Sequence, residues 1–264
     1  MRQMTKLMGV CVLLFCCGRA ARAQEISVAA ASDLKFAMGE LAASYEKQTG
    51  TKVNVTYGSS GNFFSQIQNG APFDLFFSAD VEYTKKLEAA GQAEPGTLHK
   101  YAVGRIVIWT PFSTKVDVSS QGMNALLDAA IQKIAIANPA HAPYGRAAVA
   151  ALKKAGVYDK VEAKLVYGEN ISQAAQFAQS GNAQAGIVAL SLAISPAMKD
   201  SGKMWVIPEE MHPAIEQGAI VLNTAKNKDA ARSFLEFVKS EAGRAILGKY
   251  GFAMPKSGQT NSSP

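Results

Sequence analysis

The chain has 264 residues, of which 48% are hydrophobic and 18% are charged, and its formal net charge is +6. Four of the positive charges, and no acidic residue, lie in the first 23 residues, which leaves a net charge of +2 on the rest of the chain. No dense cluster of basic residues follows, and this argues against nucleic-acid binding. A chain of this length can bury enough apolar surface to fold without disulfide bridges.

The first 23 residues have the features of a cleavable signal peptide. Arg2 and Lys6 precede a short apolar run over residues 8–17, and residues 21–23 give the small-x-small pattern that signal peptidase recognises. The run is too short for a membrane anchor, and its cysteines lack the preceding small residue of a lipoprotein site. We therefore expect cleavage after Ala23 and export to the periplasm. All three cysteines lie in this segment, so the exported chain has no disulfide and no thiolate.

Strand and helix patterns alternate along the remaining chain, which predicts an α/β fold with mostly parallel sheets. The periodicity of the first part predicts these elements in turn: strand 25–30, helix 34–50, strand 53–57, helix 60–69, strand 74–78 and helix 81–90. A long apolar run at 101–110 is typical of a segment that leaves one domain and enters another.

A second series of strands and helices follows this run. The predicted elements are strand 133–137, helix 145–155, strand 164–167, helix 171–179, strand 185–190, strand 216–222, helix 228–240 and helix 241–250. The pattern predicts two α/β lobes joined by two crossings. The first lobe would comprise residues 24–102 and 216–256, and the second residues 103–215. The polar segment 257–264 is expected to be a disordered tail.

Four short turns stand between an apolar run and an amphipathic run, at residues 30–33, 58–61, 142–145 and 168–171. They combine hydroxyl side chains with backbone N–H groups at the start of predicted helices, and they contain no Lys or Arg. Helix N-termini favour anions because their first N–H groups are unpaired. Two turns belong to each predicted lobe, so an anion that contacts all four must lie between the lobes, where hinge closure can enclose it.

These turns and their surroundings carry a resemblance to a known family. The matching segments are 29–34, 58–61, 70–80, 138–145, 168–171, 186–188 and 249–252. In this order and spacing they resemble the periplasmic molybdate-binding proteins of ABC uptake systems, over nearly the whole chain after the signal peptide. The resemblance implies the two-lobed type II periplasmic binding protein fold and a monomeric receptor that is not an enzyme and needs no cofactor. It also implies molybdate or tungstate as ligand, and delivery to a membrane permease with a cytoplasmic ATPase.

The resemblance carries five ligand contacts to this chain: Ser32, Asp33, Ser60, Tyr144 and Ile171. The two serines would each supply a hydroxyl and a backbone N–H, and Asp33 and Ile171 a backbone N–H. Some members of the family bind the ligand through a tyrosine at the position of Ala189. Because that tyrosine is missing here, the phenol of Tyr144 is predicted to take its role beside the backbone N–H of the same residue. No side chain would bind the metal directly, since molybdenum would be held as its oxyanion.

Neutral donors suffice for such a ligand. Hydrogen bonds to a charged group contribute about 1.5–3 kcal/mol each, so six or seven of them give a gross gain of order 10–20 kcal/mol, whereas micromolar to nanomolar binding needs roughly 8–12 kcal/mol. A pocket of donors also disfavours phosphate, whose second pKa of about 6 leaves it partly protonated near neutral pH. Sulfate must be excluded by the size of the pocket, whereas tungstate is nearly isosteric with molybdate.

Asp33 leaves two interpretations open. Its carboxylate is expected to turn away from a dianion and accept bonds from N–H groups at the helix start. Alternatively, it accepts a hydrogen bond from a protonated oxyanion, which would favour phosphate. Two other functions are also considered: a receptor for another oxyanion such as sulfate, and an exported hydrolase using Ser32 or Ser60 with His141. The sequence lacks the Gly-x-Ser-x-Gly turn of many hydrolases, and its histidines lack metal-ligand spacing.

Overall fold

The computed structural model describes residues 24–255, so the predicted signal peptide and the predicted tail at 257–264 lie outside the described residues. Within this range the strands are β1 (Glu25–Ala31), β2 (Lys52–Gly58), β3 (Leu75–Ser78), β4 (His99–Gly104), β5 (Ile106–Pro111), β6 (Ile134–Ala137), β7 (Leu165–Gly168), β8 (Ala185–Ala189), β9 (Gly202–Val206) and β10 (Ile215–Val221).

The α-helices of the same range are α1 (Lys35–Thr49), α2 (Ser60–Gln68), α3 (Val81–Ala89), α4 (Val118–Gln121), α5 (Pro143–Lys154), α6 (Tyr158–Val161), α7 (Ile171–Gln179), α8 (Leu190–Ala193), α9 (Lys228–Lys239) and α10 (Glu241–Lys249). Short 3-10 helices cover Ser32–Leu34, Gly122–Leu127, Glu162–Lys164 and Glu209–Met211. None of these helices is long and apolar enough to cross a membrane.

The strands form two five-stranded sheets with the same pattern. The first has the order β2-β1-β3-β10-β4, and the second the order β7-β6-β8-β5-β9. In the first sheet β1 is parallel to β2 and β3, while β10 runs antiparallel to β3 and β4. In the second, β6 is parallel to β7 and β8, while β5 runs antiparallel to β8 and β9. The predicted two-lobed α/β fold is confirmed, and we call each sheet with its helices a lobe.

Burial explains why the central strands form where they do. The strands β3, β5, β6 and β8 are buried along their whole length, as expected for strands covered by helices on both faces. Helix α1 ends at Gly50, whose φ of 73° gives the left-handed conformation that commonly terminates a helix. The apolar cluster of the second lobe also includes Ala31 and Ala79 from the first lobe. The two lobes are therefore packed against each other.

The chain crosses between the lobes at two places. Strand β4 belongs to the first sheet and β5 to the second, and only Arg105 separates them. The apolar run at 101–110 is thus two strands in different sheets, as the predicted passage into a second domain requires. The return crossing lies between β9 and β10. The predicted lobe boundaries at 102/103 and 215/216 stay predictions.

Candidate anion site between the lobes

The four predicted turns converge on one small cavity between the lobes. Its lining consists of residues from these turns together with Ala79. All five residues implied by the resemblance line it: Ser32, Asp33, Ser60, Tyr144 and Ile171. No Lys, Arg or His is among the lining residues. The structure therefore brings the five residues together, and their contact with a ligand stays a prediction.

Three helices begin at the cavity and direct backbone donors towards it. Ser60 and Ile171 are the first residues of α2 and α7, and Tyr144 is the second residue of α5, after Pro143. The first N–H groups of a helix have no partner within it. The backbone N–H groups of Ser60, Tyr144 and Ile171 form no hydrogen bond within the described part of the chain, although all three residues are buried. Buried, unpaired donors at helix N-termini suit an anion.

The hydroxyl of Ser60 has a proton that it can donate to a ligand. Its Oγ accepts a hydrogen bond from the backbone N–H of Ala79 at 2.9 Å. A hydroxyl has one proton and two acceptor lone pairs. The bond from Ala79 uses a lone pair and fixes the oxygen, and the described chain provides no acceptor for the proton. The Ser60 proton is thus available to an anion in the cavity.

The hydroxyl of Ser32 connects the two lobes. It donates to Oδ1 of Asn170 at 3.1 Å and accepts from the backbone N–H of Ser172 at 3.3 Å. The hydroxyl of Ser172 donates to the backbone oxygen of Ser32 at 2.8 Å. Oδ1 of Asn170 also caps α7 by accepting from the N–H of Gln173 at 3.1 Å. Asn170 therefore keeps a partner when the proton of Ser32 turns to a ligand.

The phenol of Tyr144 belongs to a buried polar cluster. It donates to Oδ2 of Asp33 at 2.9 Å and accepts from Nε2 of Gln217 at 3.0 Å. Gln217 donates from the same nitrogen to Oδ2 of Asp33 at 2.7 Å, and its Oε1 accepts from the hydroxyl of Tyr101 at 2.6 Å. The predicted bond from the Tyr144 phenol to a ligand therefore requires its proton to leave Asp33.

The carboxylate of Asp33 is buried without a cationic partner. Only 1% of the residue is exposed, and its Oδ1 has no hydrogen-bond partner in the described chain. Burial raises the pKa of Asp33 to about 6, and the hydrogen bonds from Gln217 and Tyr144 oppose this rise. The two phenols of the cluster, Tyr101 and Tyr144, have a pKa well above the usual value, chiefly because they are buried. They therefore remain protonated at neutral pH.

Further contacts hold the lobes together around the cavity. The backbone N–H of Gly61 donates to the backbone oxygen of His141 at 2.9 Å, and Nδ1 of His141 lies 2.8 Å from the Oγ of Ser59. Farther out, Arg146 on α5 forms an ion pair of 2.5 Å with Asp80, the residue that caps α3. The cavity is thus enclosed by both lobes.

Comparison with known proteins identifies the family. The family of bacterial extracellular solute-binding proteins matches residues 26–253. The chain belongs to this family. The molybdate-binding protein ModA of Rhodobacter capsulatus is 39% identical over 232 residues, which cover 88% of this chain and 89% of that protein. ModA of Azotobacter vinelandii is 39% identical over 235 residues, 89% of this chain and 92% of that protein.

Solved structures of solute-binding proteins agree with this assignment. The periplasmic molybdate-binding protein of Azotobacter vinelandii superimposes with a TM-score of 0.81 and 34% identity, covering 88% of this chain and all of that chain. The sulfate-binding protein SubI of Mycobacterium tuberculosis has a TM-score of 0.71 at 15% identity, covering 89% of this chain and 88% of that chain, and shares the fold. The resemblance to periplasmic molybdate-binding proteins is thereby confirmed.

Sequence reasoning missed several residues in and around this cavity. Gln217 was not identified, although a glutamine directly before the apolar run 218–222 of a buried strand is the kind of polar residue that needs partners. Asn170 and Ser59 stand out in the sequence only as parts of turns. A hydrolytic role for His141 finds no support, because its Nδ1 lies beside the hydroxyl of Ser59, and neither Ser32 nor Ser60 bonds to its ring.

Proposed function

We propose that the protein is a periplasmic receptor that captures molybdate between its two lobes and delivers it to the permease of an ABC importer. One observation carries the proposal: the cavity shared by the lobes is lined by hydroxyl groups and unpaired helix N-terminal N–H groups, with no cationic side chain. Relatives that are 39% identical over nearly their whole length are molybdate-binding proteins, and this supports the choice of ligand.

The size and chemistry of the cavity favour a small inorganic anion. The cavity is far smaller than pockets for organic ligands, which usually have volumes of roughly 300–1,000 Å³. Organic carboxylates are also commonly bound by a bidentate Arg, and none lines the cavity. Donors from four turns surround the space, as a tetrahedral oxyanion with four oxygen acceptors requires. We include tungstate as a ligand because its shape and charge match those of molybdate.

The proposed place of the protein in transport follows from the sequence and the family. The signal peptide predicted for residues 1–23 supports export to the periplasm. The sequence contains no G-x-x-x-x-G-K-[ST] motif, so ATP hydrolysis must be supplied by another protein. We therefore propose a membrane permease with a cytoplasmic ATPase as partner. We also propose that the receptor acts as a monomer, because one chain contributes all four turns of the cavity.

A second candidate ligand is a protonated oxyanion such as phosphate. The observation that favours it is the carboxylate of Asp33, which lines the cavity and has one oxygen without a partner. A carboxylate can accept a hydrogen bond from a protonated phosphate, which a pocket of donors alone cannot do. This candidate predicts that phosphate binds at least as well as molybdate.

A melting series with sodium molybdate, tungstate, sulfate and phosphate tests the proposal. A ligand of the native state raises the melting temperature by mass action, so we expect large and similar increases with molybdate and tungstate and little change with sulfate and phosphate. An increase with phosphate equal to that with molybdate would favour the second candidate. No increase with molybdate at millimolar concentration would refute the proposed function.

A further inference from the structure

One group in the cavity conflicts with a doubly charged anion: the carboxylate of Asp33. It lines the same cavity as the donors of Ser60 and Tyr144, and it is almost fully buried. Neither the lining nor the hydrogen-bond partners of Asp33 include a Lys, Arg or His. Because charges of the same sign repel strongly where water is excluded, an ionised Asp33 opposes the binding of a dianion.

The neighbours of Asp33 cannot compensate this charge. The titratable groups that face it are the phenols of Tyr144 on α5 and Tyr101 on β4, and both remain protonated. The other contacts come from neutral groups: Nε2 of Gln217 on β10 donates to Oδ2, and the hydroxyl of Ser191 on α8 donates to the backbone oxygen of Asp33 at 2.8 Å. Backbone groups of Asp33 and Leu34 at the helix start also lower its pKa, so the surroundings of Asp33 supply hydrogen bonds but no charged side chain of opposite sign.

The two oxygens of the carboxylate have different environments. Oδ2 accepts hydrogen bonds from Tyr144 and Gln217, whereas Oδ1 is buried and accepts none in the described chain. A proton on Oδ1 leaves both bonds to Oδ2 in place. It also converts an unpartnered acceptor into a donor, which is the kind of group that a pocket for an oxyanion needs.

We propose that Asp33 takes up one proton from solvent, on Oδ1, when the anion enters the cavity. This inference rests on the proposed function, since it takes molybdate as the ligand. The free protein with ionised Asp33, one proton and the molybdate dianion then combine into a complex that contains neutral Asp33 and an unprotonated ligand. The proton cancels the repulsion and adds a donor.

Proton uptake couples the affinity for molybdate to pH. The pKa of Asp33 is about 6 in the free protein, and a neighbouring dianion raises it further because it disfavours the carboxylate. Between the pKa of the free protein and that of the complex, the observed affinity rises about tenfold for each unit by which pH falls. At pH 7.5 the free protein is mostly ionised at Asp33, whereas the complex is protonated.

Isothermal titration calorimetry with sodium molybdate at pH 7.5 measures this proton. The observed enthalpy is compared in Tris and HEPES, whose ionisation enthalpies differ, and the slope gives the protons taken up per molybdate. We expect a value approaching one for the full exported chain. Binding without proton uptake refutes the inference and leaves the proposed function intact, whereas absence of molybdate binding refutes the proposed function itself.

Variants assign the proton to Asp33. Asp33→Asn keeps the shape of the side chain and resembles the protonated acid, so it should bind with no proton uptake. Asp159→Asn removes an exposed carboxylate of α6 and is the matched control, with uptake equal to that of the wild type. His141→Gln removes the imidazole beside Ser59 and should also retain the uptake. Loss of uptake in His141→Gln, with uptake retained in Asp33→Asn, overturns the assignment.

The affinities of the same variants provide a second readout. The dissociation constant of the wild type should rise from pH 6 to pH 8, whereas that of Asp33→Asn should stay constant over this range. At pH 8 the variant should bind molybdate at least tenfold more tightly than the wild type. If Asp33→Asn folds and binds molybdate more weakly than the wild type at every pH, the ionised carboxylate is required and the inference is wrong.

Discussion

Gly61 and His141 meet across the two lobes so closely that no side chain fits between them. A Cβ atom at Gly61 would lie 2.6 Å from the backbone oxygen of His141 and 3.0 Å from its Cα. The N–H of Gly61 donates to that same oxygen. Real Cβ atoms essentially never approach backbone atoms so closely. The closed arrangement of the lobes therefore depends on glycine at this position.

We predict that Gly61→Ala weakens molybdate binding by about one to two orders of magnitude, because a contact of this kind costs roughly 1–3 kcal/mol when the backbone cannot move away. Titration calorimetry measures the affinity. Gly39→Ala is the matched control, since Gly39 lies within α1 and a Cβ atom there would meet no other atom within 4 Å, so this variant should bind normally. Wild-type affinity of Gly61→Ala would show that this contact is not needed for binding.

The Ser60→Ala variant should lose both affinity and stability. The hydroxyl is predicted to donate to the ligand, and a hydrogen bond to a charged group contributes about 1.5–3 kcal/mol, which corresponds to roughly a ten- to hundredfold change in affinity. The same variant leaves the buried N–H of Ala79 without its acceptor, at a cost of about 1–3 kcal/mol to folding. Calorimetry and urea unfolding of the free protein measure the two losses separately.

Ser65→Ala removes an exposed hydroxyl of α2, the same helix that Ser60 begins, and should change neither quantity measurably. A Ser60→Ala protein that is less stable but binds molybdate with wild-type affinity would assign the hydroxyl to the folding of the turn alone. The backbone N–H of residue 60 would then be its remaining contribution to the cavity.

The Tyr144→Phe variant tests the predicted contact of the phenol. The hydroxyl bonds to Asp33 in this structure, so its removal acts on the ligand, on Asp33 or on both. A double-mutant cycle separates these effects. If the phenol contacts the ligand, Tyr144→Phe should lower the affinity by about tenfold in the wild type and in the Asp33→Asn background alike. A loss confined to the wild-type background would mean that the hydroxyl acts through Asp33.

The stability of the free protein should depend on pH through Asp33. The pKa of this group is about 6 in the folded protein and 3.8 in the unfolded reference. The folded state therefore binds more protons between these values, and the free energy of unfolding of the wild type falls as pH rises from about 4 to 6. With the full shift, the change is about 3 kcal/mol.

The Asp33→Asn variant lacks this titration. The melting temperature of the variant minus that of the wild type should therefore grow as pH rises from 4 to 7. Asp159→Asn should show a constant difference from the wild type over the same range, because this side chain is exposed. Parallel melting curves of Asp33→Asn and the wild type at every pH would contradict the raised pKa.

Local patterns in the sequence are sufficient to predict the main elements. Helix α7 is predicted with its observed bounds, Ile171–Gln179, because its apolar residues recur at helical spacing after the turn at 168–171. The four turns are predicted to meet because the carboxyl ends of parallel strands lie at one edge of a sheet. The resemblance then adds the roles of individual residues, which the turns alone do not specify.

Other features depend on contacts that no local pattern encodes. Strand β9 is not predicted, because it lies at the edge of its sheet and includes the exposed Met204. The bond between Gln217 and Asp33 joins residues that are 184 positions apart. The carboxylate of Asp33 is expected to accept bonds from N–H groups at the helix start. The backbone of Asp33 and Leu34 does lower its pKa, but its larger hydrogen-bonding contributions come from the side chains of Gln217 and Tyr144. Both partners become neighbours only when the sheets and lobes have assembled.

The bond between Ser32 and Asn170 has a consequence for how the affinity is set. It occupies the Ser32 proton in the free protein, so this conformation has an internal partner that competes with the ligand for this donor. The apparent affinity is the intrinsic affinity multiplied by the fraction of binding-competent molecules. A change at Asn170 acts both on the competing bond to Ser32 and on the cap of α7. The ligand concentration at which the receptor is half-occupied can therefore change in evolution without replacement of any of the five residues predicted to contact the anion.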